Sequence, residues 1–152
     1  NYNAPGQVVI AGSNAALETA IEQLKAAGAK RAMPLAVSAP FHSALMQPAA
    51  EKMSEVLESI EIAKPSTAII QNVDAQYHED PANIRSNLVA QMFGAVLWTT
   101  TMQQMAEDGV ETVVECGPGK VLSGLNKRID KRLASLSINS VDTLAKTTEA
   151  LS

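Results

Sequence analysis

"ETVVECGPGKVLSGLNKRI" occupies residues 111–129, and its reading decides the fold class. The apolar run through Val113 and Val114 reads as a strand. Gly117, Pro118 and Gly119 make a turn, and a helix follows. Downstream, "LASLSINSV" (133–141) holds a further strand, and Asp142 is expected to cap a last helix. Upstream, Trp98 to Asp108 reads as a helix closed by Gly109. Asp80 caps a helix from Pro81 to about Phe93, with Ile84, Leu88 and Val89 inward and Gly94 interrupting it. "KPSTAIIQNVDAQ" contains a strand centred on Ala68–Ile70. Another helix runs from about Met46 to Ser59, with Pro48 in its first turn and Met46, Ala50, Met53, Val56, Leu57 and Ile60 on one stripe. Nearer the start, "QVVIAG" (7–12) reads as a strand. A helix capped by Ser13 or Asn14 follows, with Leu17, Ile21 and Leu24 at helical spacing and Gly28 at its end. "RAMPLAV" (31–37) is the next expected strand, an edge or bulged one because of Pro34. Strands and helices alternate, so the expected class is α/β.

The 152 residues suffice for one domain with a real core. Apolar residues make up 46%, charged residues 18%, and the formal net charge is −4. No basic stripe exists to neutralise phosphates, which argues against nucleic acid. No apolar run is long enough to cross a bilayer. The single cysteine, Cys116, leaves no intrachain disulfide and no cysteine-rich zinc site. These features suit the cytoplasm. The chain opens on Asn1 within what reads as mid-domain sequence, so a fragment, or the second piece of a cut protein, is expected.

"SAPFHSALM" (38–46) carries the chemistry. His42 stands at a strand-to-helix turn, where an imidazole can face a cleft and take and return a proton near neutrality. A lone histidine is more often structural. His78, in "QYHED", reads as solvated surface beside Glu79 and Asp80. No local Cys/His cluster supports a metal. "ECGPGK" (115–120) fits neither G-x-x-x-x-G-K-[ST] nor G-x-G-x-x-G, so a tight strand-to-helix turn is the better reading, with Cys116 a small buried residue. No serine has the G-x-S-x-G frame. Ser43 is adjacent to His42 and poorly placed to pair with it.

Taken together, "NYNAPGQVVIAG", "VSAPFHSALM", "QNVDA", "NLVAQMFGAVLW" and "VVECGPGKVLSGLNKRI" resemble, in that order, the C-terminal half of the malonyl-CoA:acyl carrier protein transacylase family. The resemblance implies an α/β-hydrolase-like large domain with an inserted ferredoxin-like subdomain. Residues 1–38 would be the closing part of that subdomain, and residues 39–152 the C-terminal part of the large domain. It implies a ping-pong transfer of malonyl from malonyl-CoA, through an acyl-serine, to the phosphopantetheine thiol of acyl carrier protein, in fatty acid biosynthesis and with no cofactor. His42 matches the base, and Gln91 the residue whose backbone carbonyl orients it. Asn3 and Gln7 match the N-x-N-x-P-x-Q segment near the cleft. Phe41 matches the residue that lines the pocket beside malonyl C2, although it can equally pack in the core.

Ala95 stands where the family usually has proline, and Phe93 where it usually has tyrosine. With Gly94, this loop reads as looser than the pattern. The glycine-rich oxyanion loop, the elbow serine and the carboxylate-binding arginine of the family have no counterpart in these residues. The nucleophile is therefore expected on a missing N-terminal half, and the chain alone is expected to be inactive. Two other readings compete: a non-catalytic acyl-carrier-protein docking module on the same scaffold, and an acyltransferase domain of a polyketide synthase.

Overall fold

Six β-strands and six α-helices run through residues 1–152 in a computed structural model. In chain order they are β1 (Tyr2–Ala4), β2 (Gln7–Val8), α1 (Asn14–Ala26), α2 (Gln47–Glu58), β3 (Ile70–Gln71), β4 (Gln76–Tyr77), α3 (Pro81–Ala90), α4 (Trp98–Glu107), β5 (Thr112–Cys116), α5 (Val121–Ile129), β6 (Ala134–Ile138) and α6 (Val141–Ala150). The mixture is α/β. Contacts divide the chain into two units. One holds Asn1 and residues 9–96; the other holds residues 2–8 and 97–152.

The second unit is built on β5 and β6. They pair in parallel, with Thr112 opposite Ala134 and Cys116 opposite Ile138. A parallel pair needs a crossover connection, and α5 supplies it. The core lies beside this pair: Met102, Ala106 and Leu133 are buried, and Trp98, Met105, Val110, Val113 and Ile129 pack against them. The Trp98 indole donates to Asn126 Oδ1 at 3.1 Å, so the half-buried ring keeps its hydrogen bond. The hairpin β1–β2 joins this unit. Thr99 Oγ1 donates to the Tyr2 carbonyl at 3.0 Å, and Arg128 donates to the Pro5 carbonyl at 3.1 Å. Ser140, not Asp142, caps α6: it exchanges hydrogen bonds with Thr143 in a capping box, and Asp142 sits in the first turn, where the helix dipole favours it.

In the first unit α2 packs on α3, burying Ala50, Leu57 and Ile84. β3 and β4 form a short antiparallel hairpin, with Ile70 opposite Tyr77. Asp80 caps α3 by accepting from the Ala82 N–H at 2.9 Å. Helix α1 is capped by Ser13 and closed by Gly28 at φ +90°, where the Ala29 N–H reaches back to the Leu24 carbonyl at 2.9 Å. No α1 residue is buried.

The strands expected at 7–12 and 31–37 do not pair into a sheet. The strand expected over 7–12 is only Gln7–Val8, and residues 31–37 contain no strand. A strand exists only through a partner, Pro34 has no N–H to give, and no segment of this chain pairs there. Met33, Leu35 and Val37 are exposed as a result.

Candidate active site around His42

Two loops of the first unit meet at His42. The first is delivered by α2. A 3-10 turn, Ala44–Met46, precedes that helix, and Ser43 Oγ donates to the Pro40 carbonyl at 2.7 Å. This closure sets His42 at φ +61°, a left-handed conformation that ordinary residues avoid. Such strain costs about 1–3 kcal/mol and persists only where the surroundings fix it. Here the His42 N–H donates to the Met92 carbonyl at 3.1 Å.

The second loop is the C-terminal end of α3. The last carbonyls of a helix have no intrahelical partner, and they carry the negative end of its dipole. The Gln91 carbonyl lies 2.8 Å from His42 Nδ1, and the Gly94 carbonyl 3.2 Å from the same nitrogen. A carbonyl only accepts, so Nδ1 carries the proton in the neutral ring. Nε2 is then left with its lone pair. Two carbonyls and a helix C-terminus also stabilise the positive charge that appears when Nε2 takes a proton. Such an arrangement orients the ring through main-chain acceptors and leaves Nε2 able to accept a proton.

Gly94 is not a loose point in this loop. Its N–H closes on the Ala90 carbonyl at 2.8 Å, and a Cβ built on it would lie 2.9 Å from that oxygen and 2.9 Å from Val73 Cγ2. This closure also ends α3 at Ala90, short of the Phe93 expected from sequence. Phe41 is 49% exposed, so it is not a core residue. Asn3, on β1, and Gln7, on β2, belong to the other unit. There the Gln7 side-chain oxygen accepts from Arg128, which ties it to α5.

His78 differs from its expected solvated state. It is half-buried, with Nε2 2.7 Å from Asp74 Oδ2. Burial pushes the Asp74 carboxyl up, but hydrogen bonds from His78, Asn87 and the Gln76 N–H outweigh it and hold the group below its ordinary range. Cys116 is exposed rather than buried, because it ends β5 where nothing in the chain covers it. The 115–120 turn proves to be structural. Glu115 accepts from the N–H of Leu122 at 3.0 Å, from the N–H of Ser123 at 2.8 Å and from Ser123 Oγ at 2.7 Å. A strand carboxylate thus fills the N-terminus of α5, the helix end that favours negative charge. No group of His, Cys, Asp and Glu is arranged to hold a metal. No helix is long and apolar enough to cross a membrane.

The model of the family described as "Acyl transferase domain" matches residues 1–147. The chain belongs to the acyl transferase domain family. Relatives named malonyl CoA-acyl carrier protein transacylase include that of Haemophilus influenzae, 52% identical over 141 residues, covering 93% of this chain and 45% of the relative. The Escherichia coli K12 protein of that name is 46% identical over 149 residues, covering 98% of this chain and 48% of its own length. Among solved structures, a type II PKS acyl-carrier protein in complex with its malonyl-transacylase matches with a TM-score of 0.95 and 47% identity, over 99% of this chain and 48% of that one. The chain therefore spans about half the length of the relatives it matches.

Sequence reasoning on this acyl transferase domain missed the second acceptor, the Gly94 carbonyl, and the left-handed backbone of His42. No residue type signals either one. The Gly at 94 beside an apolar helix end was the only available mark. The Glu115 cap was equally hidden, because its partners lie seven and eight residues downstream.

Proposed function

We propose that this acyl transferase domain supplies the general-base half of a malonyl-CoA:acyl carrier protein transacylase acting in fatty acid biosynthesis. The carrying observation is His42, whose Nδ1 faces two carbonyls and whose Nε2 is left to accept a proton. In this reading a serine hydroxyl supplied from outside these 152 residues gives its proton to Nε2 as its oxygen attacks the malonyl thioester. The tetrahedral intermediate collapses, the C–S bond breaks, and the CoA thiolate takes the proton back from the imidazolium. In the second half-reaction the phosphopantetheine thiol gives its proton to Nε2 and attacks the acyl-serine, and the serine oxygen leaves with that proton. Gln91 acts through its backbone carbonyl. No cofactor is needed; malonyl-CoA is a substrate, and the phosphopantetheine arm belongs to the carrier protein.

Acyl carrier protein is the proposed partner, in keeping with the complex formed by the similar malonyl-transacylase. A second proposed partner is a polypeptide segment carrying the nucleophilic serine. Phe41, with its exposed ring next to the base, is the proposed wall beside malonyl C2. Asn3 and Gln7 are proposed substrate-side residues. Residues 1–38 are assigned to a ferredoxin-like subdomain and residues 39–152 to an α/β-hydrolase-like domain. In that assignment further strands would cover the exposed apolar residues Met33, Leu35 and Val37. A location in the cytoplasm accompanies this reading. A purely docking role would not need the His42 geometry.

The test is intact-mass spectrometry of the assembled protein after malonyl-CoA is added. The expected result is one malonyl adduct on a serine, lost to holo acyl carrier protein when that is supplied. Absence of the adduct with a folded, assembled protein would overturn the proposal.

A further inference from the structure

The chain has two non-glycine residues at positive φ, His42 at +61° and Ala75 at +56°. Strain of this kind persists where surrounding contacts over-determine the backbone. His42 meets the C-terminal loop of α3 through its hydrogen bonds to Gln91, Met92 and Gly94. Ala75 is 1% exposed and lies in the turn between β3 and β4, with its N–H on the Gln71 carbonyl at 2.9 Å. Its two predecessors, Val73 and Asp74, face α3.

Asp74 Oδ2 accepts from Asn87 Nδ2 at 2.8 Å and lies 2.7 Å from His78 Nε2, while Asp74 Oδ1 accepts from the Gln76 N–H at 3.1 Å. Asn87 also donates to Gln71 Oε1 at 3.1 Å. Asn87 stands one turn before Gln91, and its own carbonyl accepts the Gln91 N–H at 2.9 Å. Val73 Cγ2 fills the space where a Gly94 side chain would begin. The turn therefore grips both carriers of the His42 acceptors: Gln91 through Asn87, and Gly94 through Val73.

We propose that Asp74, held in the strained β3–β4 turn, is a positioning residue that sets the two carbonyls facing His42 Nδ1 and so tunes the base. It touches neither substrate nor the reacting atoms. The inference rests on the proposed reading of His42 as the base. It assigns to "QNVDA" a part in the chemistry that the sequence does not announce.

The test uses the assembled acyltransferase and four variants: Asp74→Ala, Asp74→Asn, His42→Ala and the double variant Asp74→Ala/His42→Ala. First-turnover formation of the acyl-serine and KM for malonyl-CoA are measured for each. Loss of the Asn87 acceptor in Asp74→Ala should slow acyl-serine formation by about ten- to hundredfold with little change in KM, as expected for a sub-ångström misplacement of a catalytic group. Asp74→Asn keeps an oxygen for Asn87 and should restore most of the rate. In the double variant, Asp74→Ala should slow the His42→Ala enzyme no further, because residues acting through one group are not additive. A merely structural role would lower both backgrounds alike, and that result would overturn the inference. So would an unchanged rate in Asp74→Ala, or a loss confined to KM. Asn87→Ala breaks the same tie from the helix side and carries the same expectations if Asp74→Ala does not fold. A wild-type rate in His42→Ala would instead overturn the base assignment, and this inference with it.

Discussion

Gly94→Ala tests how tightly the acceptor loop is held. The new Cβ would meet the Ala90 carbonyl oxygen and Val73 Cγ2, each at 2.9 Å, whereas ordinary contact begins at 3.4 Å. Relieving the overlap takes a movement of about 0.5 Å. One obstacle is backbone and the other is a stiff β-branched methyl, so Gly94 itself must move. Its carbonyl is already 3.2 Å from His42 Nδ1, at the long end of hydrogen-bond range. The shift removes it as an acceptor, leaving the Gln91 carbonyl alone. Overpacking should destabilise the protein by about 1–3 kcal/mol. Loss of the second acceptor, worth about 1 kcal/mol, should slow acyl-serine formation at least about fivefold. Stopped-flow measurement of CoA thiol release in the assembled enzyme reads the second effect, and a urea titration reads the first. Gly94→Ala/Val73→Ala should recover part of both losses, because one of the two obstacles is gone. A Gly94→Ala enzyme with wild-type stability and wild-type first-turnover rate would refute the packing on which this reasoning depends.

The imidazole of His42 should be the Nδ1–H tautomer when neutral, since both neighbours of Nδ1 are carbonyls. Nitrogen NMR of the ring reads this directly, and a proton found on Nε2 would contradict it. Phe41→Ser should raise the use of methylmalonyl-CoA relative to malonyl-CoA by roughly 10- to 100-fold, the scale of one pocket contact; an unchanged ratio would remove Phe41 from the pocket. Glu115→Ala should cost about 1 kcal/mol of stability through the lost α5 cap. Burial pushes the Glu115 carboxyl up, but hydrogen bonds from Ser123, Leu122 and Val121 outweigh it and hold it below its ordinary range. Its contribution is therefore present above the titration range of an unfolded glutamate and is lost as the pH falls through the folded group's lower range. The difference between Glu115→Ala and the parent in urea titrations should shrink on acidification, and a constant difference would show that the charge is irrelevant.

The helices were legible because each carries its own signals. Asp80 and Pro81 open α3, the Met46–Ile60 stripe marks α2, and Gly28 closes α1. The 111–129 stretch was legible for the same reason: strand, turn and helix are all local. The strand expected at 31–37 failed because a strand is not a local property. Met33, Leu35 and Val37 have the right residue types, yet this chain offers them no ladder. The site was legible only in part. His42 and Gln91 are 49 positions apart, and no periodicity links them. The family resemblance paired them, and the folded chain supplies the distance. Gly94 was read as loosening a loop, when its missing side chain is what lets the loop close on Ala90 and Val73. His78 was placed in solvent because its neighbours in sequence are acidic, while its actual partner, Asp74, sits four residues earlier in the β3–β4 turn.

The central claim is that His42 is the base. Its most direct test is the first-turnover release of CoA from malonyl-CoA by the assembled enzyme and by its His42→Ala variant. Removal of a general base predicts a loss of about 10²- to 10⁴-fold in that step, with the folded state retained. A first turnover as fast as that of the parent enzyme would contradict the account.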